Sequence, residues 1–340
     1  MRIVELYGGG DGGGAARYLR DVLPGLARTD EVSLLSLGRD QLAPQGTDVQ
    51  RVRQSQALGA IRRLRPDVLH THGLRANLLG RLYGRMQGVP VVTTVHSFLA
   101  QDYRQAEAAQ AALLLDGATL AWSRFLIAVS SAIAKDLLAR GALAGSVAVV
   151  PNGIAPPPAP DPATLPKLVS GRPLLCVAAR LHPTKGIDVA LRAMPLLPQT
   201  QLAVMGEGPE RDSLARLAQD LGCEDRVHFL GYRQDLGSIV AGADLMLIPS
   251  RAEGFGLAAV EAMAQGVPVV ASAVGALPEV VGPGGVLFRS EDPADLARAV
   301  QSALGQRTRL SAAAARQAGR YTLDETVRQT HTVLSRAMGD

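Results

Sequence analysis

Short β-branched runs alternate along this chain with longer Ala/Leu/Arg segments in which apolar residues recur every three or four positions. That alternation argues for βαβ units and parallel sheets. In the first half the pattern predicts strands over residues 3–6, 32–37, 68–70, 91–95, 126–129 and 147–150, with helices over 15–27, 74–87 and 131–140 among the segments between them. The alternation stops at Pro151-Asn152-Gly153-Ile154, where six prolines follow between Pro156 and Pro166. Proline fixes φ and lacks an N–H, so this stretch is neither helix nor central strand and reads as a semi-rigid linker. The pattern then resumes, with strands expected over 174–178, 201–205, 227–229, 245–248, 269–271 and 285–287. Helices are expected over 188–194, 210–221, 257–265 and 293–304, and one more amphipathic helix over 322–338. The fold class that follows is α/β, with two Rossmann-like, doubly wound parallel-sheet domains over 1–153 and 171–321. A linker over 154–170 joins them, and a closing segment, 322–340, is expected to return to the first domain. Open parallel sheets bind ligands outside the carboxyl ends of their strands, so a cleft between the domains is the expected site.

Composition narrows this little. A chain of 340 residues with 47% hydrophobic and 19% charged residues has material for two cores, and disorder is not expected to dominate. Glu5 interrupts the first apolar run, so no signal peptide is expected, and no run approaches the roughly 20 apolar residues of a membrane span. Cys176 and Cys223 have neither metal nor redox spacing, which makes a reducing cytoplasm the default. The net charge of +4 hides an asymmetry: residues 1–150 hold 17 Lys and Arg against 12 Asp and Glu, the remainder 18 against 19. A basic first half, with Arg51, Arg53, Arg62, Arg63 and Arg65, suits an anionic membrane surface or a phosphorylated acceptor; an ordinary solvated surface is the plain alternative.

Three clusters carry chemistry. The first is the run Gly8 to Gly14, interrupted only by Asp11, between a predicted strand and a helix. Backbone amides at Gly9, Gly10, Gly12 and Gly13 would make an anion site there. The spacing also fits a dinucleotide loop, which wants an acid at the end of strand two, where only the late Asp40 is found; a purely structural turn is a third reading. The second cluster is Arg180 and Lys185, five residues apart on a loop at a strand's carboxyl end, a pair able to neutralise a diphosphate. The third is Glu253-Gly254-Phe255-Gly256-Leu257 leading to Glu261, two carboxylates with seven residues between them. Eight helical steps would separate them by about 12 Å, with the amides of Phe255, Gly256 and Leu257 turned toward phosphates. Solvated glutamates on a helix are the bland reading, which leaves Glu261 within an apolar run unexplained.

These clusters, together with DVLHTHG at 67–73, TTVHS at 93–97, VVPNGI at 149–154, GEGP at 206–209 and FLGY at 229–232, resemble the retaining GT-B glycosyltransferases of family 4 over nearly the whole chain. The E-x7-E motif is the most specific marker. The resemblance implies that Arg180 and Lys185 bind the donor's distal phosphates, that Glu261 holds the ribose and that Glu253 lies beside the transferred sugar. Gly206, Gly208, Tyr232 and Arg233 would line the nucleobase, His96 would lie near the sugar, and His72 and Asp11 would face the acceptor. The implied reaction moves a hexose from a UDP-, GDP- or ADP-sugar to a hydroxyl acceptor with retention. No cofactor and no metal are expected, in keeping with the lack of a D-x-D triplet in a metal-binding context, and no nucleic-acid partner. The implied setting is cell-envelope glycan synthesis in the cytoplasm, with peripheral attachment to the membrane as an open option. A nucleotide-sugar epimerase of the same architecture and a non-catalytic nucleotide-sugar-binding protein are the rival functions.

Overall fold

The computed structural model describes residues 1–9, 13–38, 42–103, 105–159, 171–233 and 235–339. Gly10, Asp11, Gly12, Asp40 and most of the proline-rich stretch therefore lie outside the described residues. The chain divides into two compact units, Met1–Ala155 with Thr322–Asp340, and Pro156–Tyr321.

The first unit runs β1 (Arg2–Tyr7), α1 (Gly14–Leu26), β2 (Glu31–Ser36), β3 (Asp48–Arg51), α2 (Ala57–Leu64), β4 (Val68–His72), α3 (Leu74–Gln87), β5 (Val91–Val95), α4 (Ala106–Leu120), β6 (Phe125–Ala128), α5 (Ser131–Ala139) and β7 (Val147–Val149). Its strands form one sheet in the order β3-β2-β1-β4-β5-β6-β7, every pair parallel. Strand alternation sends Ile3 and Tyr7 to one face and Val4 and Leu6 to the other. The first face is covered by Leu19, Val22 and Leu23 of α1, and by Val333 and Leu334 of the helix that ends the chain. The second is covered by Ala60 and Ile61 of α2 and Ala76 and Tyr83 of α3.

The second unit runs β8 (Leu174–Ala178), α6 (Ile187–Ala193), β9 (Gln201–Met205), α7 (Arg211–Asp220), β10 (Val227–Gly231), α8 (Leu236–Ala241), β11 (Leu245–Ile248), α9 (Leu257–Ala264), β12 (Val269–Ser272), α10 (Leu277–Val281), β13 (Gly285–Phe288), α11 (Pro293–Gly305) and α12 (Arg307–Ala318). Its parallel sheet has the order β10-β9-β8-β11-β12-β13. Leu175, Val177, Leu202, Val204, Leu245 and Leu247 lie in its core with Leu191 of α6 and Leu296 and Val300 of α11. The chain then enters α13 (Leu323–Ala337), which belongs to the first unit.

Most predicted strands and helices are present within two residues of the expected ends. Among the elements that the pattern did not announce, α4 has a physical reason. Its Leu114 and Leu115 are exposed while Ala112 and Leu120 are buried, so apolar residues occupy both faces and leave no amphipathic period. What fixes α4 is charge. Asp116 accepts a hydrogen bond from Nη1 of the fully buried Arg81 of α3 at 2.6 Å and pairs with Arg140 beyond α5. Arg81 Nε also donates to Ser123 Oγ at 2.9 Å, and Ser123 continues to Thr93 and Thr71 in the sheet.

Asp116→Ala would strand the Arg81 guanidinium, and the loss expected for breaking a buried ion pair is about 3–5 kcal/mol. Trp122, the only tryptophan of the chain, follows α4 and makes the measurement simple: urea unfolding followed by its fluorescence should show a clearly lowered midpoint. An unchanged midpoint would mean that the cluster does not hold the helix.

Candidate active site

In the second unit the strand order reverses between β8 and β11, the place where open α/β sheets bind their ligands. The loops leaving these two strands are fastened to each other. The Arg251 amide donates to Thr184 O at 2.8 Å, and its guanidinium donates to Pro183 O at 2.5 Å and to both carboxylate oxygens of Asp188 at 2.8 Å. Gly186 has φ 61°, and a Cβ there would collide with the carbonyl oxygen of Pro249, so the approach requires glycine. At this junction Lys185 Nζ donates to Glu253 Oε2 at 2.8 Å, and Ser250 Oγ donates to the same oxygen at 3.1 Å. Two residues that the sequence separates by 68 positions are thus joined, and the pair is 31% and 17% exposed. Arg180 lies exposed on the same loop.

Glu253 and Glu261 are not eight helical steps apart. Helix α9 begins at Leu257, after Gly256 at φ 99°, and Glu253 sits in the bend before it, its carbonyl accepting from the Ala276 amide at 3.0 Å. Only the second half of the motif has helical rise, and the straight-helix separation does not apply. Gly254 and Phe255 are buried in this bend, and the Phe255 ring meets that of Tyr321 edge-on at 5.5 Å. Gly206 closes the loop after β9 through its amide to Gly231 O at 2.7 Å, and the neighbouring Glu207 carbonyl accepts from Leu181 at 2.9 Å; Gly208 follows on that loop. Tyr232 is exposed, whereas the Arg233 guanidinium is occupied by Asp235 at 2.8 and 2.6 Å.

The first unit has its own reversal, between β1 and β4. Glu5, fully buried on β1, is paired in register with His70 on β4. His70 Nδ1 lies 3.0 Å from Glu5 Oε1 and His70 Nε2 2.7 Å from Thr94 Oγ1; His72 Nε2 lies 2.8 Å from Glu5 Oε2. His72 Nδ1 continues to His96 Nε2 at 3.0 Å. The His96 ring meets that of Tyr18 edge-on at 5.0 Å, and the Tyr18 hydroxyl is 3.0 Å from Thr330 Oγ1. The glycine run begins beside this group, since the Gly8 amide donates to His72 O at 2.9 Å; Gly9 follows, and Gly13 caps α1. His72 and His96 were expected here; Glu5 and the continuity of the chain were not. The available signal was a charged residue inside an otherwise apolar strand, with His70 and His72 two apart on one face of the next.

Burial works against ionisation of Glu5, but the charge of His70 and the hydrogen bonds from His70 and His72 outweigh it and hold the carboxyl at about 2. Burial, then the charge of His70, push His72 down to about 4 against the pull of Glu5. Burial, then His72 and His70, keep His96 well below the ordinary histidine value. Glu5, His70 and His72 are also a set of potential metal ligands. Their N···O separations of 3.0 and 2.8 Å, however, are hydrogen-bond lengths. Ligands sharing a tetrahedral zinc ion at 2.0–2.2 Å would stand about 3.3 Å apart. Proton-bridged contacts account for the group as it stands.

Two doubly wound sheets built in this way define the GT-B class. The structure is similar to those of HepE from Anabaena in complex with UDP and glucose (TM-score 0.86, 23% identity, 99% of this chain and 100% of that one) and of sucrose-phosphate synthase from Thermosynechococcus elongatus (TM-score 0.82, 21% identity, 99% of each). Residues 12–156 match the glycosyltransferase family 4 model, and residues 166–321 match glycosyl transferases group 1. A D-inositol 3-phosphate glycosyltransferase of Xylanimonas cellulosilytica is 35% identical over 289 residues, covering 76% of this chain and 69% of that protein. The protein of the same name from Mycolicibacterium smegmatis is 39% identical over 184 residues, which span 51% of this chain and 42% of the relative. The chain belongs to the family 4 glycosyltransferases.

Acid should loosen the first unit. His72, at about 4 against an ordinary 6.5, refuses protons in the folded state that the unfolded chain accepts, so its contribution is lost as pH falls from about 6.5 toward 4. Glu5, at about 2 against 4.5, adds a further loss between those values, in the same direction. Urea midpoints read from Trp122 should therefore fall steadily below pH 6.5, and His72→Gln should flatten the upper part of the profile. A midpoint constant from pH 7 to 4 would contradict this arrangement.

Proposed function

We propose that this chain transfers a hexose from a UDP-, GDP- or ADP-sugar to a hydroxyl acceptor, with retention at the anomeric carbon and without a metal ion. The observation that carries the reading is the Lys185–Glu253 pair at the β8–β11 reversal, with Arg180 on the same loop. In this reading Arg180, Lys185 and the amides of Phe255, Gly256 and Leu257 receive the negative charge that develops on the diphosphate as the bond to C1 breaks. Glu253 keeps the Lys185 ammonium aimed and lies beside the sugar, Glu261 holds the ribose, and Gly206, Gly208 and Tyr232 attend the base. The acceptor oxygen bonds to C1 on the face that the phosphate leaves, and its proton passes to the departing phosphate oxygen. His96 orients the sugar; Gly9 and Gly13 attend the phosphates, and His72 stands toward the acceptor.

The UDP and glucose held by HepE make uridine the first donor base to test, and the inositol phosphate in the relatives' name favours a phosphorylated acceptor. No helix among the described residues is long and apolar enough to cross a membrane. Attachment to an anionic bilayer fits the exposed Leu114 and Leu115 of α4 and Met86 of α3, and the concavity of about 730 Å³ that Arg62, Arg63 and Arg65 line with Arg2.

Purified protein should turn over one of the three sugar nucleotides undiminished by EDTA, and Lys185→Ala should lower kcat/KM by about 100-fold or more. No turnover of any donor, or an epimerised sugar nucleotide formed without acceptor, would defeat the transferase reading. Cosedimentation with phosphatidylserine vesicles at low salt should be lost in Leu114→Ser/Leu115→Ser; no binding by the parent chain would refute the membrane contact.

A further inference from the structure

Away from its strand reversal, the first unit has a concavity of about 730 Å³ whose lining includes Arg2, Arg62, Arg63, Arg65, Tyr83 and Gln87. Chain order fixes its place in the fold. Arg2 opens β1, Arg65 leads through Pro66 into β4, and Val89 leads into β5. These are the amino ends of the strands, whereas Gly8, His72 and His96 stand at or just beyond carboxyl ends. The concavity therefore lies at the other end of the sheet from the histidines, a strand's length away, about 16 Å for the five residues of β4.

The charge gathered there is unbalanced. Elsewhere arginines such as Arg17, Arg233 and Arg251 stand against carboxylates. Arg62, Arg63 and Arg65 are exposed and have no ion pair or hydrogen bond among the described residues. The nearby Asp67 is taken by Arg2, its oxygens accepting from the Arg2 amide and from Arg2 Nη2, each at 2.7 Å. Glu31 adds only a longer-range attraction to Arg2. Like charges held together repel, so the grouping works against the folded state unless something compensates it. The dipole of α2 favours Arg62 and Arg63 in its last turn. It accounts for neither Arg2, which comes from another element, nor Arg65, held at a left-handed φ of 47° that glycine adopts more readily. A second observation is independent of charge. Tyr83 is only 7% exposed and lines the concavity, yet its hydroxyl has no partner among the described residues; a phenol in such a place usually finds one. Gln87, one turn further along α3, adds an amide able to donate.

We propose that this concavity is a second ligand site, one that takes an anion carrying two or more phosphate groups. Guanidinium forks match phosphate oxygens two at a time, and the Tyr83 hydroxyl and the Gln87 amide donate to oxygens that the arginines leave. The volume falls in the range of small-molecule pockets rather than that of a single ion. The arginines come from β1, from α2 and from the turn that joins α2 to β4, so one ligand engages three separate pieces of chain. A free polyphosphorylated metabolite and a phosphorylated lipid headgroup share this chemistry. The site stands apart from the transferase reading, in which none of these residues serves the donor or the acceptor.

Calorimetric titration of the full chain with inorganic tripolyphosphate, at pH 7.5 and low salt, tests the site. Phosphates would also be drawn to Arg180 and Lys185, so the titrations are made in Arg180→Ala/Lys185→Ala. Saturable binding should persist there, and adding Arg62→Ser/Arg63→Ser/Arg65→Ser should weaken it about 10-fold or more. Tyr83→Phe, which keeps the ring, should weaken it by a smaller factor. Arg20→Ser/Arg28→Ser/Arg316→Ser removes the same charge from exposed positions outside the concavity and should bind as before. Urea midpoints read from Trp122 report whether each variant is folded; should the concavity triple variant not fold, Arg62→Ser alone is measured. No saturable binding, or an equal loss in the two triple variants, overturns the proposal. Vesicles of phosphatidylcholine with phosphatidylinositol 4-phosphate separate the two sources. Retention that tripolyphosphate competes away and the concavity variant loses assigns a headgroup, whereas tripolyphosphate binding without retention assigns a free ligand. Leu114→Ser/Leu115→Ser should leave tripolyphosphate binding unchanged, and the result is the same whether or not the chain turns over a sugar nucleotide.

Discussion

The first unit is organised around a negative charge that has no access to water. Glu5 is fully buried in the middle of β1, and an ion in that position survives only if nearby donors replace its hydration. The donors come from β4, and only one register of β4 against β1 delivers them. Glu5 stands opposite His70, with His72 one step further along the same face. A slip of one residue would turn both imidazoles to the other side of the sheet. The carboxylate thus acts as a pin between the two strands at which the sheet reverses direction, and it extends outward through His72 to His96 and sideways through His70 to Thr94.

The second unit uses the equivalent place in a different physical regime. Lys185 and Glu253 meet at the reversal between β8 and β11 but remain partly exposed. Exposed pairs contribute little to stability, and for that reason they can be rearranged cheaply when a charged ligand arrives. What holds the loops themselves is Arg251, whose guanidinium bridges Asp188, Glu291 and the Pro183 carbonyl. Structural and chemical work are divided between neighbouring cations: one is tied down on several sides, and the other is held by a single carboxylate, to which Ser250 also donates.

The strands of both sheets could be read from the sequence because a parallel sheet covered on both faces concentrates β-branched residues into short runs. Elements were missed where that contrast failed. Strand β3 reads Asp-Val-Gln-Arg and sits at the sheet edge, where little burial is demanded. Helix α4 is held by Asp116 rather than by an apolar stripe. In the candidate site, Arg180, Lys185, Glu253 and His96 stand out by residue type and position in the βα loops. The partners do not: the Lys185–Glu253 contact spans 68 positions and Glu5–His72 spans 67, separations that only the folded topology brings to zero. Glu5 itself was visible only as an interruption in an apolar run. The eight-residue spacing of Glu253 and Glu261 was legible as a motif but not as a distance, because the left-handed turn at Gly256 breaks the helical rise between them.

The first unit is built from two stretches that flank the second in the sequence, and this has a bearing on the order in which the units are completed. Val333, Leu334 and Ala337 of α13 complete the hydrophobic layer that α1 begins, and Thr330 anchors Tyr18 next to His96. A ribosome emits those residues only after all of Pro156–Tyr321 has been translated. The nascent first sheet must wait with part of one face uncovered through the synthesis of a whole second sheet, which can meanwhile fold as a continuous segment. The first unit is therefore completed after the second, and the histidine next to Tyr18 acquires its full surroundings only once α13 has left the exit tunnel.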